Sequence, residues 1–195
     1  DLSDGFFDLW DDPRICRHLH LPLQSGCDAT LKRMRRNTTQ AEFRHLLQTA
    51  REKIKDVRIT TDVIVGFPGE TDEEFAISEA FIHEMDFAGL HVFRYSVRPG
   101  TPASRMRHQI PTAVKKARSA KLLALSEAME SNFAQTLENA NHDVLWEQIT
   151  GSTPDGFINT GYTDNYMRVK AIHPRDLTNM ITQTYLGQYV DGAIQ

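Results

Sequence analysis

Hydrophobic and polar positions alternate with two different periods along the first part of this chain. Apolar runs of strand length are followed by stretches in which apolar residues recur every three to four positions, as on one face of a helix. The strand-like runs cover residues 15–21, 58–65 and 90–95, and the helical stretches cover residues 29–36, 39–54, 72–85 and 111–141. Because strand and helix alternate, the pattern predicts an α/β fold with a parallel sheet.

The number of strands limits which α/β fold is expected. Three strands are too few to close a barrel, so the pattern predicts part of a βα barrel of the TIM type, its later half, or a piece of an open sheet. A short helix over residues 1–12 is also predicted, with Leu2, Phe6, Leu9 and Trp10 on one face. Because the chain opens so abruptly on an apolar helix, we expect it to begin inside a larger protein.

The pattern changes in residues 142–195, where short strands are separated by Gly, Pro, Asp and Asn. The predicted strands cover residues 144–149, 156–162, 166–171 and 187–193. Such spacing predicts a small all-β module, most simply a compact barrel. We therefore expect two domains, residues 1–141 and residues 142–195.

Composition places the chain among ordinary globular proteins. It has 195 residues, of which 40% are hydrophobic and 25% charged. No apolar run is long enough to span a membrane, and no signal peptide opens the sequence. Two cysteines cannot form a disulfide framework, so we expect a reducing, cytoplasmic environment and no membrane partner.

The net charge of −4 hides a local asymmetry. Residues 59–90 contain no Lys or Arg, whereas residues 94–121 contain no Asp or Glu and several bases. Clustered bases suit a polyanion such as RNA. Solvated helix faces with local charge balance explain the same pattern without any ligand.

A glycine turn follows the most apolar strand. Residues 58–65 end at Gly66-Phe67-Pro68-Gly69, and a helix restarts at Thr71 with Glu74 three positions later, the pattern of a capping box. In α/β folds, ligands bind at the end of the sheet where such loops emerge. The alternative is that the two glycines only shape the turn.

Two histidines alternate with apolar residues on the first predicted strand. His18 and His20 could share a face and bind a metal ion, but no third ligand lies near them in the sequence. We therefore predict no metal site and expect both to be core or pocket-lining residues. Cys16 is expected to be a buried apolar residue.

Three motifs then match one family in order and spacing. They are residues 18–28 (HLHLPLQSGCD) followed by residues 31–34 (LKRM), residues 61–71 (TDVIVGFPGET), and residues 95–103 with the pattern YSxRxGTPA. Together they resemble the radical-SAM methylthiotransferases. Within that family they most resemble the MtaB type, which modifies threonylcarbamoyladenosine beside the tRNA anticodon, rather than the sibling MiaB and RimO types. Residues 161–167 (GYTDNYM) resemble the TRAM domain of the same subgroup.

The resemblance implies a chemistry that depends on groups this chain does not carry. In the family, S-adenosylmethionine on a 4Fe-4S cluster yields a radical that abstracts hydrogen from the base, and a methylthio group is inserted. That cluster is held by an upstream Cys-x-x-x-Cys-x-x-Cys triplet, and a second 4Fe-4S cluster is held by an N-terminal domain. Cys16 and Cys27 are too few and wrongly spaced for either cluster. We expect a C-terminal part of the enzyme, inactive without the missing N-terminal half.

The resemblance also implies two groups of site residues. Those expected around S-adenosylmethionine are Gln24, Ser25, Asp62, Val65, Gly66, Phe67, Gly69, Glu70, Tyr95 and Ser96. Those expected against the tRNA anticodon stem-loop are Arg98, Lys32, Arg33, Arg35, Tyr162, Asn165, Tyr166 and Arg168. No residue of this chain is expected to be catalytic by itself.

Structural alternatives remain open for several of these residues. Asp62 could bond neighbouring backbone, Glu70 could favour the N-terminus of the next helix, and the aromatics of a small β module are usually core. Two alternative functions also remain open. One is a non-catalytic module that binds RNA through the β barrel, and the other is a radical-SAM enzyme with a different substrate.

Overall fold

A computed structural model describes residues 5–195, and these divide into two compact units. The first unit contains the N-terminal segment up to His18, Lys53–Arg58 and Ser131–Gln195, and the second contains Leu19–Glu52 and Ile59–Glu130. The helix predicted over residues 1–12 is a 3-10 helix, Phe6–Asp11, and Leu2 lies outside the described residues. The domain boundary expected at residue 141 stays a prediction.

The predicted parallel sheet is present and has three strands. Strands β1 (His18–His20), β2 (Arg58–Val65) and β3 (Leu90–Arg94) lie in that order, and β2 pairs with β3 in parallel. Strand β1 is shorter than predicted, because the Arg17 amide donates to the Asp164 carbonyl instead of joining the sheet. An isolated parallel bridge between Gln24 and Val63 extends the pairing beyond Pro22.

Four α-helices accompany these strands, and local sequence signals explain their starts. They are α1 (Asp28–Arg33), α2 (Gln40–Lys53), α3 (Asp72–Met85) and α4 (Thr112–Gln135). The predicted capping box is confirmed, since Thr71 bonds reciprocally with Glu74, and Thr39 and Glu42 form a second box at the start of α2.

Two helices end earlier than predicted. Helix α1 stops at Arg33 because Arg35 adopts left-handed backbone, at a φ of 58°. Helix α4 stops at Gln135, and Asn139, at a φ of 60°, redirects the chain into the next strand.

The two faces of β2 differ, and this difference positions the candidate site. Ile59, Thr61, Val63 and Val65 are buried, whereas Asp62 and Ile64 are only partly buried. Because side chains alternate along a strand, Asp62 and Ile64 share the more open face. Burying Val63 or Val65 contributes about 1.5–3 kcal/mol each, which fixes this register firmly.

The β module forms a six-stranded sheet with the order β7-β4-β5-β6-β9-β8. Its strands are β4 (Ala140–Thr153), β5 (Gly156–Thr163), β6 (Arg168–His173), β7 (Ile181–Leu186), β8 (Tyr189–Val190) and β9 (Ala193–Ile194). Trp146, Met167 and Leu186 form its core with Ala134 and Leu137 from the end of α4 and the turns after it.

The strand pairing corrects two expectations about this module. No pairing between β7 and β8 is found in the described part of the chain, so the strands form an open order rather than the closed barrel that was predicted. Strand β7 was not predicted because polar and apolar residues do not alternate along it. Its exposed positions hold Ile181, Gln183 and Tyr185, and threonines lie between them.

Among residues 5–195, no helix is both long and apolar enough to cross a bilayer.

Candidate functional site

A cleft of about 370 Å³ lies at the carboxyl ends of β2 and β3. Its lining combines apolar, hydroxyl and guanidinium groups, from Ile64, Phe67, Phe93, Arg94, Tyr95, Ser96, Arg98, Thr101 and Ala103. Among the residues that the structure describes, no carboxylate lines it. Aromatic faces beside two guanidinium groups suit a nucleoside that carries a carboxylate or phosphate.

Four residues that were assigned from the sequence meet in this cleft. Phe67, Tyr95 and Ser96 were expected around the cofactor, and Arg98 was expected against RNA. The sequence did not single out Phe93 or Arg94 as site residues, although both line the cleft at the end of β3. The cleft therefore brings together members of both predicted groups.

Tyr95 carries a polar group without a partner. Its hydroxyl is buried and has no hydrogen-bond partner among the described residues. Phe67 packs edge-on against the ring at 5.3 Å, and the Lys115 ammonium lies 5.0 Å from the ring centroid. Because buried hydroxyls are nearly always paired, this one is suited to a bound ligand.

The glycine turn is covered by a basic side chain rather than left bare. Gly66 has a φ of 72°, and a Cβ there would lie 2.4 Å from Lys115 Cγ. The Lys115 Nζ then donates to the Tyr95 carbonyl at 2.9 Å. The backbone at Gly66 is therefore not bare, since the Lys115 side chain lies against it. Gly69, at a φ of 80°, has the Arg33 guanidinium beside it.

Glu70 closes the turn through a partner that the sequence did not indicate. Its Oε1 accepts from the Gly66 amide at 2.9 Å and from Arg118 Nη1 at 2.6 Å. Arg118 also donates to Asp72 at 2.6 Å, so one guanidinium joins the turn to the start of α3. Burial raises the pKa of the Glu70 carboxyl, and the Gly66 amide and Arg118 oppose that rise. With 4% of its surface exposed, Glu70 holds the loop and faces no cleft.

Two further cofactor assignments need correction. Val65 is 1% exposed and lies on the buried face of β2, so Ile64 lines the cleft in its place. Ser25 is also 1% exposed, and its hydroxyl accepts from the Cys27 amide at 3.2 Å. Both side chains are therefore parts of the interior.

Gln24 keeps a backbone conformation that is unusual for a residue with a side chain. Its φ is 70°, and its amide and carbonyl bond the backbone of Asp62 and Ile64 on β2. Left-handed backbone at a non-glycine residue persists only where surrounding contacts hold it, and such positions cluster at functional sites.

Asp62 faces two histidines on the neighbouring strands. Its Oδ1 lies 3.2 Å from His20 Nε2 and 3.3 Å from His91 Nδ1. The two imidazole rings stack with their centroids 5.1 Å apart. The expectation that no third ligand lies near His20 is wrong, because sheet pairing brings in residues that are distant in sequence. His18 is not a member of this cluster.

In the β module, Tyr166 is the centre of a stack of three rings. It is 49% exposed, and its ring stacks on His18 at 5.2 Å and on Tyr162 at 5.2 Å. Its φ of 67° is a strained conformation for an aromatic residue. His18 was missed as a member of this stack because it is remote from the module in sequence.

Asn165 and Arg168 differ from Tyr166 in exposure. Asn165 is fully buried, accepts from the Thr163 hydroxyl at 2.6 Å and donates to the Asp56 carbonyl at 3.3 Å. It therefore has no surface with which to contact RNA, which corrects its assignment. Arg168 is half-buried, and its Nε has no partner within the described chain.

The basic residues around α1 also divide by their contacts. Lys32 and Arg35 are exposed, whereas Arg33 donates to both carboxylate oxygens of Glu74 and to the Thr30 hydroxyl. This guanidinium holds the pKa of Glu74 below its ordinary value. Arg33 is therefore engaged by the start of α3 and is less available to a phosphate than its neighbours.

The cysteines do not fit an iron–sulfur cluster. Cys16 is exposed, which corrects the expectation of a buried residue, and Cys27 is buried at the start of α1. Two separate thiols do not supply the thiolates that a cubane requires.

Comparison with known proteins identifies the family. The profile described as the Radical SAM superfamily matches residues 2–82. Threonylcarbamoyladenosine tRNA methylthiotransferase MtaB of Bacillus subtilis (strain 168) is 42% identical over 183 residues, which cover 93% of this chain and 41% of that protein. The chain belongs to the radical-SAM tRNA methylthiotransferase family.

A second relative bears a different substrate in its name. The tRNA-2-methylthio-N(6)-dimethylallyladenosine synthase of Corynebacterium urealyticum is 41% identical over 152 residues, 77% of this chain and 28% of that protein. The chain thus spans less than half the length of either family member.

A solved structure agrees on the fold alone. The coproporphyrinogen III oxidase (HemN) of Escherichia coli, described as a radical SAM enzyme, superposes with a TM-score of 0.55 at 20% identity. The match covers 66% of this chain and 30% of that chain.

Proposed function

We propose that this chain is the later part of an enzyme that methylthiolates threonylcarbamoyladenosine in tRNA. Two observations support it: the relative of that name aligns with 93% of the chain, and the cleft combines aromatic and guanidinium groups at the carboxyl ends of the strands. The cleft is the main support for the proposal, because its residues could contact both the nucleoside to be modified and a nucleoside cofactor. Such an enzyme acts in the reducing cytoplasm.

S-adenosylmethionine is the proposed cofactor, and the cleft fits its adenosyl part. Phe67 and Tyr95 offer ring faces to an adenine, and the unpaired Tyr95 hydroxyl and Ser96 offer hydrogen bonds. When bound, the cofactor supplies a one-electron route for breaking an unreactive C–H bond. Gln24, which lies beyond β1 and bridges to Val63, is proposed to bond the same ligand from the β1 side of β2.

The iron–sulfur clusters are proposed to lie outside this chain. Cys16 and Cys27 do not fit a cluster, so neither is proposed as a cluster ligand. We propose that the remainder of the parent protein supplies the clusters and completes the pocket.

The anticodon stem-loop is the proposed RNA partner. Arg98 and Arg94 in the cleft are suited to its phosphates, and exposed Lys32 and Arg35 add positive charge near α1. In the β module, which we propose to be a TRAM domain, the exposed ring of Tyr166 is suited to stacking on a base, worth about 1–3 kcal/mol.

A second candidate function is RNA binding without chemistry. The ring stack of His18, Tyr162 and Tyr166 favours it, because this stack presents an exposed aromatic face without any need for a cofactor. Tight tRNA binding by the chain, with no activity in any assembled enzyme, would support this candidate.

A chimera tests the first proposal. The aligned segment of the B. subtilis enzyme is replaced by this chain and expressed in a strain that lacks that enzyme, and tRNA nucleosides are analysed by mass spectrometry. We expect methylthiolated threonylcarbamoyladenosine to return, and to be reduced when Arg98→Ala is introduced. Lys116→Ala, an exposed base outside the cleft, is the matched control.

Two outcomes would redirect the proposal. Methylthiolation of dimethylallyladenosine alone would assign the chain to the sibling specificity. A folded chimera that binds tRNA and modifies no base would leave the RNA-binding module as the better account.

A further inference from the structure

We propose that His20, Asp62 and His91 form a binding site for a divalent first-row transition metal ion. The proposal concerns these three residues alone and does not depend on the proposed function. Each offers one ligand atom, and these atoms lie within 4.8 Å of one another. Within residues 5–195 this is the group of His, Cys, Asp and Glu side chains that meets that spacing.

The spacing of the donor atoms matches that of a metal site. Asp62 Oδ1 lies 3.2 Å from His20 Nε2 and 3.3 Å from His91 Nδ1. Ligand atoms at about 2.1 Å from a tetrahedral zinc ion lie about 3.4 Å from one another. Both separations from Asp62 therefore match that value, and all three donor atoms lie within 4.8 Å of one another.

Backbone pairing holds the ligands in place. Asp62 and His91 are direct partners in the parallel pairing of β2 and β3, and His20 ends the adjacent strand β1. Ligands carried by neighbouring strands of one sheet are more rigidly placed than ligands on loops. The geometry is thus set before any metal arrives.

A contact outside the ligand set is compatible with the tautomer of His20 in which Nε2 can bind a metal ion. Its Nδ1 lies 3.0 Å from the Thr60 hydroxyl oxygen. When Nδ1 carries the proton and donates it to Thr60, Nε2 is left with a free lone pair facing Asp62. Metal-ligating histidines commonly have such a partner on their second nitrogen.

The ligand types select the class of metal. Two imidazoles and one carboxylate suit zinc, iron(II) or cobalt(II), whereas magnesium and calcium prefer oxygen ligands throughout. The side chains of His20, Asp62 and His91 retain 34%, 25% and 63% of their exposed surface, so further positions on the ion remain open to water or a ligand.

The site lies next to the cleft on the same face of the sheet. Asp62 and Ile64 alternate with buried residues on β2, and Ile64 lines the cleft opposite its β3 partner Phe93. The pair of Asp62 and His91 therefore lies directly next to the pair that lines the cleft. This location suits an ion that binds or orients a group reaching through the cleft.

Cobalt(II) is the probe for the test, because its visible absorption reports the number and type of its ligands. The full chain carrying Cys16→Ser, which removes the exposed thiol, is titrated anaerobically with cobalt and followed by absorption and calorimetry. We expect one ion per chain with nitrogen and oxygen ligation. Zinc should displace the cobalt and raise the thermal unfolding temperature.

Matched variants make the test specific. Asp62→Asn and His91→Asn should each weaken cobalt affinity by about tenfold or more and abolish the zinc-induced thermal shift. His45→Asn, on the exposed surface of α2, should change neither. Circular dichroism checks that each variant is folded, and His91, the most exposed of the three, is the substitution least able to disturb folding.

Two results would overturn the proposal. One is a wild-type chain that binds cobalt no better than the folded Asp62→Asn and His91→Asn variants. The other is a spectrum that depends equally on His45, which would indicate scattered surface histidines. Either result would leave the cluster as a hydrogen-bonded network of an acid between two imidazoles.

Discussion

Tyr95 shows at the scale of one residue how an unpaired group can indicate a ligand. A buried hydroxyl without a partner destabilises the ligand-free protein, whereas a hydroxyl that meets a ligand strengthens binding. Removing it should therefore affect stability and affinity in opposite directions.

We expect Tyr95→Phe to leave the free energy of unfolding of the chain unchanged or raised by up to about 1 kcal/mol. In the chimeric enzyme, the same substitution should weaken S-adenosylmethionine binding about three- to tenfold, measured by calorimetry. Tyr185→Phe, which removes an exposed hydroxyl from the β module, is the control and should not change cofactor affinity. Unchanged affinity in Tyr95→Phe would remove the hydroxyl from the site.

Gly66 tests whether Lys115 shapes the turn. Gly66→Ala introduces left-handed backbone strain and a clash with Lys115 Cγ, so we expect a loss of about 2–4 kcal/mol in unfolding free energy. Gly100→Ala has a similar φ of 85° and nothing within 4 Å, so it should lose only the strain part, about 1–2 kcal/mol. Denaturant unfolding measures both.

A double variant completes the comparison. Lys115→Ala in the Gly66→Ala background should recover part of the loss, because the clashing atoms are removed. If Gly66→Ala and Gly100→Ala lose the same amount, the Lys115 side chain moves aside freely and does not define the turn.

At the scale of elements, the pair of Arg33 and Glu74 ties α1 to the first turn of α3. Glu74 also completes the capping box with Thr71, so one carboxylate serves both helices. The pKa of Glu74 is lowered from its ordinary 4.5, chiefly by hydrogen bonds from Arg33. As the pH falls, Glu74 is therefore protonated in the unfolded chain at a higher pH than in the folded chain.

This direction gives a pH prediction. The stabilisation from the pair should be fully present above about pH 4.5 and lost as the pH falls through the lower pKa of the folded state. At pH 7, Arg33→Met should lose about 1–2 kcal/mol, a value discounted because the arginine keeps 28% of its exposed surface. The difference from the wild type should shrink at pH 3, as measured by urea unfolding.

Arg44→Met is the matched control for that measurement. Arg44 pairs with Glu84 on a more exposed surface, where solvent screens the interaction. We expect a smaller effect than for Arg33→Met at pH 7. Equal effects of the two substitutions would show that the Arg33 pair is no stronger than an ordinary surface pair.

At the scale of the whole molecule, the first unit is assembled from segments far apart in the sequence. Arg17 donates to both carboxylate oxygens of Asp164 and to the Lys55 carbonyl, and Asn165 donates to the Asp56 carbonyl. The loop that bears Tyr166 is thus held by two segments from the first third of the chain.

We expect Arg17→Met to loosen that whole unit. Hydrogen–deuterium exchange should become faster in residues 53–58 and 163–167 together, because both lose the same guanidinium partner. Exchange in α3, which belongs to the second unit, should not change. Faster exchange confined to residues 163–167 would mean that the segments do not form one cooperative unit.

Local signals in the sequence identified the strands, helices and turns well where hydrogen bonding and burial act between near neighbours. Both capping boxes, the glycine turn and the boundaries of β2 and α3 followed from residues within a few positions of one another. The weaker results lie where polar residues occupy strands, as in β7, or where one left-handed residue such as Asn139 ends a helix.

The parallel βα pattern, the change to a β module and the family can all be inferred from the sequence, because periodicity and motifs lie along the chain. Three features become visible only in the folded chain: Ile64 rather than Val65 lines the cleft, Arg118 holds Glu70, and His91 joins His20 and Asp62. The physical reason is the same in each case. Sheet register and helix packing determine which distant residues meet, and no local pattern carries that information.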